Sequence, residues 1–215
     1  MVSGATYGGS VNSLREELGG GRDGVPAFRL MLPPGWSILD TSAQTQRELL
    51  QRAATRLAGV HRPDAYALLA EHVERALDAA RAQGAFMMIV AGEEAPPWST
   101  APISVLGTVT RGTPAVSLDR MVADAVERRG ARPLDGSRHF LRWTDRRTVE
   151  LSGESLAAYT VVYLTPIPGT QRKEALQLTA TLAHPSDVDP EDDALMRAWL
   201  SLLDAHIATF GWIGR

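Results

Sequence analysis

The sequence predicts an α+β domain: a largely antiparallel β-sheet sandwiched by α-helices. Three observations carry this. Apolar runs of strand length follow one another without intervening helices in the second half of the chain, which calls for antiparallel neighbours. Helical periodicity occurs early, midway and last, so helices can cover both faces of a sheet. The 215 residues, 44% hydrophobic and 22% charged, are ordinary globular usage and suffice for one domain with a full core.

Residues 1–25 read as a flexible tail, because seven of the 19 glycines fall before Val25 and glycine loses the most backbone freedom on ordering. Residues 26–215 form the single domain. Ala27–Leu32 is a strand. Pro33-Pro34-Gly35-Trp36 is type II turn chemistry, with proline presetting φ and glycine accepting φ > 0. Trp36–Leu39 continues as strand, forming with the first segment either a tight hairpin or one sharply bent strand. Residues 43–83 are helical, and Gly59–Arg62 divides them in two. Pro63 suits a first helical turn and Gly84 a C-terminal cap.

Ala85–Val90 and Ile103–Thr110 are strands flanking the loop Gly92–Pro102. Ser117 caps a helix that Gly130 ends. Three strands follow, Ser137–Trp143, Arg147–Leu151 and Leu156–Leu164, with Gly153 turning between the last two. Ala175–His184 alternates apolar and polar residues as a half-buried strand does. Asp189 caps the last helix, Pro190 opens it, and Leu195, Ala198, Trp199, Leu202, Leu203 and Ile207 make its apolar stripe.

Composition excludes several chemistries. With no cysteine, disulfides, thiolate nucleophiles, cysteine zinc sites and cysteine lipidation are absent. Met1–Gly24 lacks the basic start and apolar run of a secretory signal, and no stretch has the roughly 20 apolar residues of a membrane span. The expectation is a cytoplasmic protein without membrane insertion. No two of the five histidines show the i, i+4 spacing of a helical metal site. Asp187, Asp189, Glu191, Asp192 and Asp193 lack the glycine and glutamate a calcium loop needs and read as helix capping. Ser152-Gly153-Glu154-Ser155 is not a nucleophile elbow, and no phosphate-binding glycine motif occurs. No cofactor is expected.

One segment stands out. Between Arg128 and Arg147, seven arginines oppose only Asp135 and Asp145, a net +5 that leaves −8 on the rest of a chain whose total is −3. Such segregation orients encounters with an acidic partner. Alternation puts Arg138 and Arg142 together on the face opposite His139 and Leu141, exposed; the plainer reading is that carboxylates from elsewhere neutralise the run. Nucleic acid fits poorly with a negative total and no recognition motif. Trp98, in a proline-rich loop, is either a contact point or tucked onto the core.

Two segments resemble a known family. Phe28-Arg29-Leu30-Met31-Leu32-Pro33-Pro34-Gly35-Trp36 is similar to the opening strand and turn of the Mog/PsbP-like sandwich, closest to its actinobacterial LpqN/LpqT-type group. Leu203-Asp204-Ala205-His206-Ile207-Ala208-Thr209-Phe210 is similar to that group's closing helix, and the element order fits over 26–213. The resemblance implies non-enzymatic binding or assembly, with a role accessory to a secretion system. That group's lipoproteins lie in the envelope, a location that does not carry over to a chain without cysteine or signal. The resulting expectation is a binding module for another, acidic protein, using Arg138, Arg142, Arg146, Arg147 and Trp98. The alternative is a small-ligand binder or enzyme with a pocket between sheet and helix.

Overall fold

The structure is a computed structural model that describes residues 25–58, 63–92, 94–99, 103–135, 139–151, 154–185 and 189–213. Residues 1–24 of the tail assigned to 1–25, the break at Gly59–Arg62, the turn at Gly153 and Arg138 lie outside these residues. In chain order the elements are β1 (Phe28–Arg29), β2 (Trp36–Asp40), α1 (Ala43–Ala58), α2 (Pro63–Ala82), β3 (Ala85–Ala91), a 3-10 turn (Pro97–Ser99) and β4 (Ile103–Arg111). They continue with α3 (Leu118–Arg129), β5 (Arg132–Pro133), β6 (Leu141–Leu151), β7 (Glu154–Pro166), β8 (Glu174–Pro185), α4 (Ala194–Ala208) and β9 (Gly211–Trp212).

Seven strands form one sheet in the order β2-β3-β4-β8-β7-β6-β5, antiparallel throughout. Helices cover both faces, as the element order requires. On one face Val105, Tyr159, Val161, Tyr163, Leu178 and Leu182 pack under Met196, Leu200 and Ile207 of α4. On the other, Trp143, Val162, Leu164 and Ala175 pack under Leu118 and Ala125 of α3. Period-two alternation along β7 sends neighbouring residues into different cores. The caps of α3 are those expected: Ser117 accepts from the Arg120 N–H, and Gly130 takes φ 64°.

Three local readings are corrected. Ala27–Leu32 pairs only over Phe28–Arg29, and its partner is β9 rather than β2. The Trp36 N–H to Pro33 carbonyl bond (3.1 Å) and Gly35 at φ 76° make the expected turn, but it redirects the chain instead of closing a hairpin. Aromatic packing decides the partner: Phe28 stacks on Phe210 at 5.1 Å and meets Trp212 edge-on at 6.3 Å.

The strands read at 137–143 and 147–151 are joined in one, β6, which begins only at Leu141; His139 and Phe140 precede it, and 137–138 lie outside the described residues. Thr144-Asp145-Arg146 carries no turn chemistry, and β7 pairs with it without interruption. The last helix starts four residues late. Asp189 caps a preceding turn, accepting from the Glu191 N–H at 2.9 Å, while Asp193 accepts from the Met196 N–H and caps α4. The buried face of α4 runs through Met196, Leu200 and Ile207, so Leu195, expected in the apolar stripe, is 57% exposed.

Candidate functional site

The arginine run ends up at one edge of the sheet, where α3 hands over to β5 and the C-terminal half of α4 crosses β6. Arg142 and Thr144 of β6 lie on the sheet face that α4 covers. Arg142, paired in register with Tyr163, is therefore half-buried rather than displayed, its side chain only 13% exposed. The exposure read from alternation fails because the face opposite Leu141 and Trp143 is itself covered by a helix.

Arg142 Nε donates to Asp204 Oδ1 at 2.9 Å, and the Tyr163 hydroxyl donates to the same oxygen at 2.5 Å. Burial pushes the guanidinium toward neutrality, but the adjacent Asp204 carboxylate outweighs it and raises its pKa. Burial, reinforced by Asp204, also raises the Tyr163 pKa, so Tyr163 remains a donor.

Arg146, two residues along the same face, is exposed but engaged. Its two terminal nitrogens hold Asp189 at 2.9 and 3.1 Å, its Nη2 lies 3.5 Å from Glu191, and its guanidinium sits 5.8 Å over the Tyr159 ring. The Glu191 N–H, then the Arg146 guanidinium, hold the Asp189 carboxyl below its usual range. The Tyr159 hydroxyl donates to Glu191 at 2.9 Å. The carboxylate cluster read as helix capping thus serves two ends: Asp193 caps and Asp189 anchors the strand edge. Arg128 pairs with Asp124 at 2.9 Å. Neutralisation from elsewhere explains Arg128, Arg142 and Arg146.

It does not explain Arg129 and Arg132. Both are exposed, and neither makes an ion pair with a described residue. They line a groove of about 410 Å³ together with Arg142, Arg197, Glu191 and Asp204. Four guanidiniums face two carboxylates there, and one of those carboxylates is already satisfied by Arg142. The run Arg128–Arg147 pointed at this groove; the pairing of Arg142 and Arg146 was not legible, because their partners lie 62 and 43 residues downstream, whereas Arg128 meets Asp124 within its own helix. Arg147 lies in β6, where its backbone is paired in register with Ala158.

Trp98 is 59% exposed and so not tucked onto the core. It stands in the turn at Pro97–Ser99, whose Ser99 carbonyl accepts from Trp36 Nε1 at 2.9 Å. That places it by β2, at the opposite end of the strand order from β6. The structure does not bring Trp98 and the arginines together.

A crevice does lie between sheet and α4, lined by Trp36, Ile89, Val105, Trp199, Leu203 and Ile207 among others, with about 30 Å³ of free space. That admits about two waters; small-molecule pockets need roughly 300 Å³ or more. Among the described residues, no helix is long and apolar enough to cross a membrane.

Fold and groove together define an α+β domain with a basic groove at the edge of its sheet. The chain is similar to the crystal structure of LpqN, involved in cell envelope biogenesis of Mycobacterium tuberculosis, at 11% sequence identity over 89% of this chain and 86% of that chain, with a TM-score of 0.42. The likeness to that group is distant. No family model matches the chain, and no curated protein matches it.

Proposed function

We propose that this protein is a non-catalytic binding module that captures an acidic segment of a partner protein in the groove beside β5 and β6. The observation that supports it is the convergence of Arg129, Arg132, Arg142 and Arg197 on one groove, with Arg129 and Arg132 free of described carboxylates. Unpaired guanidiniums at a rim raise the encounter rate and select the sign of the partner. Planar forks then bind carboxylates two bonds at a time. The buried Arg142–Asp204–Tyr163 cluster holds the floor of the groove in place.

Titration of the full chain with a fluorescent glutamate-rich peptide tests this. Binding should weaken about tenfold in Arg129→Glu/Arg132→Glu and fall as salt rises from low to physiological strength. Affinity equal for an acidic and a basic peptide, or unmoved by the double reversal, would refute the reading.

A further inference from the structure

On the sheet face away from α4, Leu118 and Ala125 of α3 press on Trp143, Val162 and Leu164. Toward β8 and β4 this cover thins, and Gln177 and Thr110 are only half-buried. Those two are tied by a 3.1 Å hydrogen bond from the Thr110 hydroxyl. Opposite them the helix brings the short side chain of Ala125 and the flexible one of Met121. A cavity of about 430 Å³ is left between helix and sheet. Unlike the crevice under α4, it falls within the roughly 300–1,000 Å³ of small-molecule sites.

The lining has two parts. Met121, Ala125, Trp143 and Leu164 make an apolar wall, while Arg120, Arg128 and Arg129 of α3 accompany a single carboxylate, Asp124. Arg120, Asp124 and Arg128 recur every four residues, so they stand in a row on one flank of the helix. Arg128 holds Asp124 at 2.9 Å. Arg120 and Arg129 are exposed and make no ion pair with a described residue. Trp143 adds a spare donor beside the cavity: its Nε1 is the one buried side-chain polar atom without a partner among the described residues.

We infer that this cavity is a binding site for a small aromatic carboxylic acid. The wall selects the ring, because a methionine sulfur and an indole both pack well against aromatic groups. Guanidinium planes also stack on rings. The surplus of arginine selects the carboxylate, since each unpaired fork can hold one with two hydrogen bonds. Arg132 and Arg197 line the acidic-segment groove but not this cavity, so the two sites can fail separately.

The full chain is titrated with cinnamate, with its neutral amide cinnamamide and with acetate, followed by NMR resolved by residue. Cinnamate should bind with a Kd of about 1 mM or tighter, moving the signals of Ala125, Leu164 and the Trp143 Nε1–H. Cinnamamide lacks the charge and acetate lacks the ring, so each should bind at least about tenfold more weakly. Arg120→Glu alters an exposed side chain and should weaken cinnamate by a similar factor. Thr110→Trp fills the cavity from its floor and should abolish binding; if that variant does not fold, Arg120→Glu decides alone. Arg132→Glu should leave cinnamate affinity within about twofold of wild type. Cinnamate failing to saturate by about 10 mM, acid and amide binding equally, or shifts centred on Leu200 and Ser201 of the other groove would each overturn the site. Cinnamate bound here while the glutamate-rich peptide does not bind would sink the acidic-partner reading alone.

Discussion

A guanidinium with only 13% of its side chain exposed must be neutralised where it sits, and Arg142 depends on Asp204 for this. Asp204 is 29% exposed, so solvent screens part of the attraction, but removing it leaves both Arg142 and the Tyr163 hydroxyl without their acceptor. Asp204→Ala should therefore lower stability by about 2 kcal/mol, and adding Arg142→Met should recover most of it, because an apolar replacement for both partners removes the stranded charge. Thermal melts of the two variants check this; an Asp204→Ala melt superimposable on wild type would show that the pair carries no stability. Trp143 shows the opposite balance. Its Nε1 is buried without a partner among the described residues, a cost of about 1–3 kcal/mol. Burying the indole's roughly 200 Å² returns about 5 kcal/mol, so packing wins and the orphan donor persists.

At the scale of elements, the turn before β2 is the least forgiving. Gly35 sits at φ 76°, and a Cβ there would lie 2.4 Å from the Ala95 Cα, a backbone atom with no rotamer to yield. Its carbonyl also accepts from the Gly92 N–H at 2.7 Å, stapling β2 to the loop after β3. Gly35→Ala should destabilise by about 3 kcal/mol or more, from left-handed strain plus the clash. Denaturant midpoints measure it, and a loss below about 1 kcal/mol would mean that the loop gives way. This turn was legible in Pro33-Pro34-Gly35-Trp36, as were Ser117 and Gly130 around α3, because turns and caps are written in local residues. β6 was not legible as one strand: Asp145 and Arg146 interrupt its apolar pattern, and only pairing with β7 shows that the backbone continues. The start of α4 was misplaced for a related reason. Asp189 and Asp193 both suit a cap, and Arg146, from another element, holds Asp189 outside the helix.

For the whole molecule, stability is graded across the sheet. No described residue of α1 is buried, whereas β7 and β8 hold Tyr163, Leu176, Leu178 and Leu182 at 0–1% exposure. Amides of α1 should exchange at least about a hundredfold faster than those of β7 and β8, since α1 opens without breaching a core; comparable protection would mean that the molecule opens only as one unit. The same grading limited what the sequence disclosed of the site. The run of arginines marked which stretch is basic, but which members stay free depended on where α4 crosses β6, a long-range fact. The pairing of β1 with β9 has a last consequence, and it concerns time. Phe28 emerges early from a ribosome, and the residues it pairs and stacks with, Phe210 and Trp212, emerge almost at the end. At roughly 5–20 residues per second, the nascent chain waits about 10 s or longer before the core under α4 can be sealed. Any premature stop before Gly211 leaves an apolar face for quality control to find.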